Sequence, residues 1–201
     1  MIKLYTFPQT RGMRGVWMLE EAGVEYENVP VDIREQDTPR DPGFERASPL
    51  GKVPAILDGD AAMAESSAIC LYIADKYRPG VLSPTIDDPT RGEFLFWLMF
   101  TPAVIEPCMA EAFGTSKANR IQHGWGDYPT MIAALTERLG SRTWAMGDSF
   151  TAADVMLGSS VRFMKAFGIM PESEILDGYL ARCAERPAFQ RAEAASQPPS
   201  D

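Results

Sequence analysis

A chain of 201 residues with 45% hydrophobic and 23% charged residues has the composition of a soluble globular protein. It is long enough to form one domain or two small ones. Its net charge of −9, without a basic run, excludes a phosphate-neutralising surface. No nucleic-acid partner is therefore expected, and an anionic ligand must be held by local features.

Cysteine and histidine usage favours a reducing compartment and no metal centre. Cys70, Cys108 and Cys183 are far apart and form neither a disulfide framework nor a metal-binding spacing. His123 is the single histidine of the chain. The N-terminus lacks the pattern of a signal peptide, and the apolar stretch 94–105 is too short to span a bilayer. We expect a cytoplasmic protein that does not enter a membrane.

The first 77 residues predict the order β-α-β-α-β-β-α. A strand at 2–6, a helix at 11–22 and a strand at 25–31 form a βαβ unit, which implies a parallel strand pair. Gly23 ends the helix, and Pro30 predicts an edge strand. The polar stretch 32–47, with Pro39 and Pro42, is expected to hold a loop and a short helix around Phe44.

Residues 51–77 are expected to form two short strands and a helix. Pro54 cannot donate to a sheet ladder, so a bend or a cis bond is expected after Val53, which would leave the backbone of Val53 open to an extended ligand. Glu65 and Ser66 open the helix, where backbone N–H groups and the macrodipole favour an anion. Together these features predict a peptide-binding clamp.

The remainder of the chain predicts helices alone. They are expected at 90–113 with bends at Pro102 and Pro107, at 127–139, at 151–167 and at 173–185, before a loose tail at 190–201 that contains Pro198 and Pro199. Thr151 and Asp154 form a capping box at the clearest helix start. The predicted domains are 1–77 and 89–201, joined by a Pro-rich linker at 78–88.

The order of these elements, with Ser-Pro-Leu-Gly-Lys-Val-Pro at 48–54, Glu-Ser at 65–66 and Phe-Thr-Ala-Ala-Asp at 150–154, resembles the cytosolic glutathione transferase family. The resemblance covers residues 1 to about 187. It implies a thioredoxin-like N-terminal domain followed by an all-helical domain. It also implies a cytoplasmic, detoxifying homodimer that conjugates glutathione to an apolar electrophile, with glutathione as cosubstrate and no metal.

The resemblance implies a glutathione site formed by Val53, Pro54, Glu65 and Ser66, to which Lys52 and Thr10 are added as further binding residues. Val53, before the cis-proline Pro54, would pair its backbone with the cysteinyl part of glutathione. Glu65 and Ser66 would hold the γ-glutamyl end, because a carboxylate suits an ammonium and a helix N-terminus suits a carboxylate. Lys52 either binds the glycyl carboxylate or is a solvated loop lysine.

Conjugation needs the thiolate of glutathione, and a hydroxyl that donates to the sulfur stabilises this anion. The serine-type branches place it two residues after the proline of the first loop, a position that Thr10 occupies here. The hydroxyl of Thr10 would donate to the sulfur, or would only cap the first helix, and Arg11 would add positive potential. In phenol-type relatives a tyrosine stands where this chain has Thr6, while Tyr5 should face the other side of the sheet.

The acceptor pocket that the resemblance implies is lined by Phe7, Cys108, Met109 and Phe113, although such a stripe also suits a core. Cys108 would be either a reactive or an inert buried thiol, and no cysteine lies near Arg11, which disfavours disulfide chemistry. Two alternatives to conjugation stay open. One is a glutathione-dependent isomerase, dehalogenase or lyase on the same fold; the other is a non-catalytic glutathione-binding carrier or interaction module.

Overall fold

The computed structural model describes residues 1–35 and 40–197. The chain divides into two compact units, the first comprising Met1–Pro79 with the stretch from Glu185, and the second Gly80–Ala184. The domain boundaries predicted from the sequence, 1–77, 78–88 and 89–201, stay a prediction; the compact units differ in assigning the C-terminal stretch to the first unit. The expectations for Pro39 and for Pro198 and Pro199 lie outside the described residues.

The first unit is built on a four-stranded mixed sheet. Its elements are β1 (Ile2–Thr6), α1 (Gly12–Ala22), β2 (Tyr26–Pro30), α2 (Pro42–Ala47), β3 (Ala55–Asp58), β4 (Ala61–Ala64) and α3 (Ser66–Tyr77). The strand order is β2-β1-β3-β4, in which β1 and β2 are parallel and the other pairs antiparallel. This confirms the predicted thioredoxin-like unit, with β2 at an edge. Gly23 ends α1 at φ 65°, a left-handed conformation that glycine adopts without strain.

One carboxylate fastens α3 to the sheet. Asp58, at the end of β3, accepts hydrogen bonds from Lys76 Nζ at 2.6 Å, Tyr72 Oη at 2.8 Å and Tyr77 Oη at 2.5 Å. Burial raises the pKa of Asp58, but these donors outweigh it and hold the pKa below its usual range. The C-terminal end of α3, the helix that begins at Ser66, is thus fixed to β3.

A further helix, α9 (Pro187–Ala195), belongs to the first unit and packs on α1. The ring of Phe189 meets Trp17 edge to face at 4.8 Å, and Arg186 makes a bidentate ion pair with Glu21 at 2.6 Å. The expectation of a loose tail from residue 190 is therefore wrong for 190–195, since this segment is helical, Ala192 is fully buried and Arg191 pairs with Glu20.

The described part of the second unit is helical, as predicted. Its helices are α4 (Arg91–Phe100), α5 (Glu106–Ala112), α6 (Tyr128–Gly140), α7 (Ala152–Ala166) and α8 (Glu174–Ala184). The predicted capping box is present: Thr151 N–H donates to Asp154 Oδ2 at 2.9 Å. Burial raises the pKa of Asp154 to about 6, against the opposing effect of bonds from Ala145, Thr151 and Tyr179.

A π-helical segment, Thr101–Ile105, joins α4 to α5 where Pro102 removes a backbone donor. The joined helix Arg91–Ala112 has 22 residues, and an 18-residue window within it has a mean hydropathy of 1.3, so its length and composition alone would allow it to cross a membrane. Phe94, Leu98 and Ile105 are fully buried, at the spacing of one helix face. Core helices with one buried face pass the same test of length and composition, so this single helix is weak evidence for a membrane span. The expectation that the protein does not enter a membrane stays a prediction.

Candidate functional site

The register of the sheet brings three loops to one end of the strands. Tyr5 pairs with Ala55, and Ala55 pairs with Ala64, so these residues form one row across β1, β3 and β4. Beyond that row lie the loop that follows β1, the Val53–Pro54 bond that precedes β3, and the start of α3 that follows β4. Residues predicted from three separate stretches of sequence therefore lie at the same end of the sheet.

The peptide bond between Val53 and Pro54 is cis, as predicted. Pro54 precedes the first residue of β3, so Val53 is outside the ladder, and among the described residues its N–H and C=O have no backbone partner. Ser48 holds the loop that leads to this bond: its Oγ donates to Lys52 O at 2.7 Å and accepts from Lys52 N at 2.8 Å. An extended peptide could therefore pair with Val53 as an added strand does.

Glu65 and Ser66 stand at the N-terminus of α3. The first backbone bond of the helix runs from Ile69 N–H to Glu65 O at 3.0 Å, which leaves the preceding N–H groups of the helix without intrahelical acceptors. Glu65 is exposed at φ 72°, an unusual conformation for a residue with a side chain. Among the described residues, the side chains of Glu65 and Ser66 have no hydrogen-bond or ion-pair partner. Backbone strain like that of Glu65 concentrates at binding sites.

The loop after β1 ends in a tight turn at Thr10. Thr10 Oγ1 donates to Phe7 O at 2.6 Å and accepts from Gly12 N at 3.0 Å, so it caps the first turn of α1. A Cβ at Gly12 would lie 2.9 Å from Thr6 Cβ and 3.0 Å from Thr10 Oγ1, so only glycine fits there. Arg11 lies exposed at the N-cap position of the same helix.

Two residues of β1, Tyr5 and Thr6, also carry hydroxyls, and each hydroxyl donates to another side chain. Thr6 donates to Asn28 Oδ1 at 2.5 Å. Tyr5 is fully buried, and its hydroxyl donates to Asp41 Oδ1 at 2.8 Å, which in turn caps α2. Burial, with the bond to Asp41, raises the pKa of Tyr5 to about 12. The hydroxyls of Thr6 and Tyr5 are thus not available to a ligand thiol. The hydroxyl of Thr10 is the remaining one near the loop after β1.

Sequence reasoning missed two contacts around the loop. The guanidinium of Arg34 lies 4.6 Å from the centre of the Phe7 ring and forms an ion pair with Asp32 at 2.7 Å. A Cβ at Gly15 would lie 2.7 Å from Leu4 Cδ1, so this glycine lets α1 pack closely on β1. Gly15, three residues after Gly12, was the one sequence signal for the close packing of α1. Nothing in the sequence pairs Arg34 with Phe7.

The predicted acceptor residues differ in exposure. Phe7 is half-buried in the first unit, and in the second unit Cys108 and Met109 are buried while Phe113 is 46% exposed. Burial raises the pKa of the Cys108 thiol to about 12, and the carboxylate of Glu111 adds to it. Cys108 is therefore an inert thiol, and the assignment of these four residues to an acceptor pocket stays a prediction.

Within residues 1–35 and 40–197, no group of three or more His, Cys, Asp or Glu side chains is arranged to hold a metal ion. The candidate site instead offers an unpaired backbone, a carboxylate, hydroxyls and a helix N-terminus. These groups suit a peptide that carries both an ammonium and a carboxylate.

Comparison with known proteins gives matches to both units. The family profile described as "Glutathione S-transferase, N-terminal domain" matches residues 1–75, and "Glutathione S-transferase, C-terminal domain" matches residues 118–185. The probable glutathione S-transferase GSTF2 of Oryza sativa is 29% identical over 93% of each chain. The disulfide-bond oxidoreductase YfcG of Escherichia coli is 29% identical over 77% of this chain and 76% of that protein.

Among solved structures, a glutathione transferase family member from Pseudomonas fluorescens Pf-5, with two glutathione bound, is 30% identical. It superposes with a TM-score of 0.77 over 96% of this chain and 92% of that one. The matched profiles, the thioredoxin-like unit and the helical unit define a glutathione S-transferase-type enzyme. The chain belongs to the cytosolic glutathione transferase family.

Proposed function

We propose that this protein binds glutathione at the end of the sheet formed by Val53, Glu65 and Thr10, and conjugates its thiolate to an apolar electrophile. The observation that carries the proposal is the meeting of three otherwise separate loops beyond the row Tyr5–Ala55–Ala64. A relative solved with glutathione bound supports the choice of cosubstrate.

Each part of glutathione has a matching group in this arrangement. The backbone of Val53, outside the ladder beside cis-Pro54, suits the cysteinyl amide. The carboxylate of Glu65 suits the γ-glutamyl ammonium, and the N-terminus of α3 with Ser66 suits its carboxylate. Lys52, exposed next to Val53, supplies a cation for the glycyl carboxylate.

Thr10 is the proposed thiolate-stabilising residue, assisted by the positive charge of Arg11. Because its hydroxyl carries a single proton, the donation to Phe7 O must give way to donation to the sulfur when glutathione binds. The thiolate then attacks an electron-poor carbon, a carbon–sulfur bond forms, and a leaving group such as chloride departs with the electron pair. We also propose a cytoplasmic homodimer that detoxifies such electrophiles.

Two measurements test the proposal together. Titration calorimetry should show glutathione binding that Glu65→Ala or Ser66→Ala weakens, and an assay with 1-chloro-2,4-dinitrobenzene should show turnover. Binding without turnover on aryl halides, epoxides and enones would favour the non-catalytic carrier. Turnover confined to isomerisation, dehalogenation or ether cleavage would favour the related enzymes. Absence of binding would contradict the site assignment.

A further inference from the structure

We infer that Ser67 is a second hydroxyl of the subsite that holds the γ-glutamyl carboxylate of glutathione. This inference rests on the proposed function, because it assigns a residue to the same site. It concerns a side chain that neither the sequence analysis nor the family matches place in the site.

Ser67 is 5% exposed, and its Oγ is a buried polar atom without a hydrogen-bond partner in the part of the chain that the structure describes. Such atoms are rare, because a buried hydroxyl that has left water without gaining a partner costs free energy. Ser196 Oγ, near the end of α9, is the other such atom among the described residues. An unsatisfied hydroxyl beside a binding site therefore requires an explanation.

The position of Ser67 in α3 supplies one. It is the second residue of a 12-residue helix, directly after Ser66 and within the first turn, whose N–H groups have no intrahelical acceptor. The Cα–Cβ bond of every helical residue leans toward the N-terminus, so the Cβ of Ser67 is directed toward that end of α3. A rotation about χ1 between staggered positions redirects Oγ without moving the backbone.

A carboxylate at this terminus would gain a hydroxyl donor from Ser67 in addition to Ser66 and the backbone N–H groups. Hydrogen bonds to a charged acceptor are stronger than those between neutral groups. The protein would thus hold a buried donor whose partner arrives with the ligand. The sign of the effect is unusual: the hydroxyl adds nothing to the stability of the protein alone and adds to its affinity for glutathione.

The test compares Ser67→Ala with the matched control Ser196→Ala, which removes the other unsatisfied hydroxyl among the described residues, at the C-terminal end of α9. Without glutathione, both variants should melt at or slightly above the temperature of the unaltered protein. In calorimetry, Ser67→Ala should weaken glutathione binding by about tenfold, whereas Ser196→Ala should leave the affinity unchanged.

A ligand that lacks the carboxylate separates a direct bond from a general loss of structure. With 4-aminobutyryl-cysteinyl-glycine, which has glutathione's amine and lacks its α-carboxylate, Ser67→Ala and the unaltered protein should bind equally. Unchanged glutathione affinity in Ser67→Ala would overturn this inference alone, provided that Ser66→Ala still weakens binding. A lowered melting temperature of Ser67→Ala without ligand would also overturn it. No glutathione binding by the unaltered protein would overturn the proposed function as well.

Discussion

The hydroxyl of Thr10 donates to the carbonyl oxygen of Phe7 at 2.6 Å between the two oxygens. The same oxygen accepts from Gly12 N–H at 3.0 Å, so this side chain holds the turn after β1 and the start of α1 together. A residue with this bonding can serve both as a helix cap and as a thiolate donor. The two roles have different experimental consequences.

Replacing Thr10 by alanine should lower kcat for conjugation by about a hundredfold, because one donor to a developing anion typically contributes that much. It should also lower the free energy of unfolding by about 1 kcal/mol through the lost cap. Thr10→Ser keeps the hydroxyl and should retain both quantities nearly in full. The ultraviolet absorbance of the bound thiolate against pH should show a higher thiol pKa in Thr10→Ala. If the alanine variant loses stability but keeps its rate and thiol pKa, Thr10 is a helix cap alone.

Glu65→Gly should separate stability from binding. At φ 72° a residue with a side chain is strained, and glycine relieves that strain, which is about 1–3 kcal/mol, at an entropic cost of about 1 kcal/mol. The free energy of unfolding should therefore stay equal or rise by up to about 2 kcal/mol, while glutathione affinity falls because the carboxylate is lost.

Glu65→Gln is the matched control, because it keeps the side-chain size and the strained backbone and removes only the charge. Its stability should equal that of the unaltered protein, and its glutathione affinity should fall as in Glu65→Gly. A glycine variant that is clearly less stable than the glutamine variant would contradict the assignment of strain at this position. Chemical denaturation and calorimetry measure the two quantities.

The features predicted correctly from the sequence have local causes. Pro54 breaks the ladder by its own geometry, Gly23 accepts φ 65° because it has no Cβ, and the Thr151–Asp154 box closes within four residues. Residues next to one another in sequence decide these features. The meeting of the loops after β1, before β3 and after β4 was predicted only through the family resemblance, because it depends on sheet register.

The features that were missed depend on contacts between distant residues. Helix α9 is held by Arg186 and Glu21, which are 165 positions apart, and no local signal distinguishes that arginine from a solvated one. The same holds for Arg34 over Phe7, which are 27 positions apart. The roles of Lys52, Glu65 and Ser66 stay predictions, although the structure places the last two at one helix N-terminus.

Arg186→Ala should destabilise the first unit more than Arg191→Ala. The side chain of Glu21 is 6% exposed and also accepts from Trp17 Nε1 at 2.9 Å, so loss of Arg186 leaves a buried carboxylate without its counter-charge. We expect Arg186→Ala to lower the free energy of unfolding by about 2 kcal/mol, which is below the range for fully buried pairs because Arg186 is partly exposed. Arg191→Ala should lower it by at most about 1 kcal/mol, because the side chain of Arg191 is 56% exposed in its pair with Glu20. Equal losses in urea denaturation would contradict this ranking.

The cysteines should be unreactive in the folded protein. Cys70, Cys108 and Cys183 are fully buried, and burial raises the pKa of Cys70 and Cys108 to about 12. A thiol-specific reagent such as 5,5′-dithiobis(2-nitrobenzoate) at mildly alkaline pH should therefore label none of them rapidly in buffer. It should label all three in denaturant. Rapid labelling of one thiol in the folded protein would contradict the inertness of Cys108, the cysteine of the predicted acceptor pocket.

Tyr5→Phe should change the pH dependence of stability at both ends of the scale. Because the pKa of Tyr5 rises from 10.0 to about 12 on folding, its contribution is complete below pH 10 and is lost as pH rises through 12. Removing the hydroxyl should flatten this alkaline loss by up to about 3 kcal/mol, the equivalent of two pKa units. The bond from Tyr5 also holds the pKa of Asp41 below its usual value, a contribution that is present above that value and lost as pH falls. The variant should therefore also lose less stability on acidification, and an unchanged pH profile in denaturant titrations would contradict the coupling of these two residues.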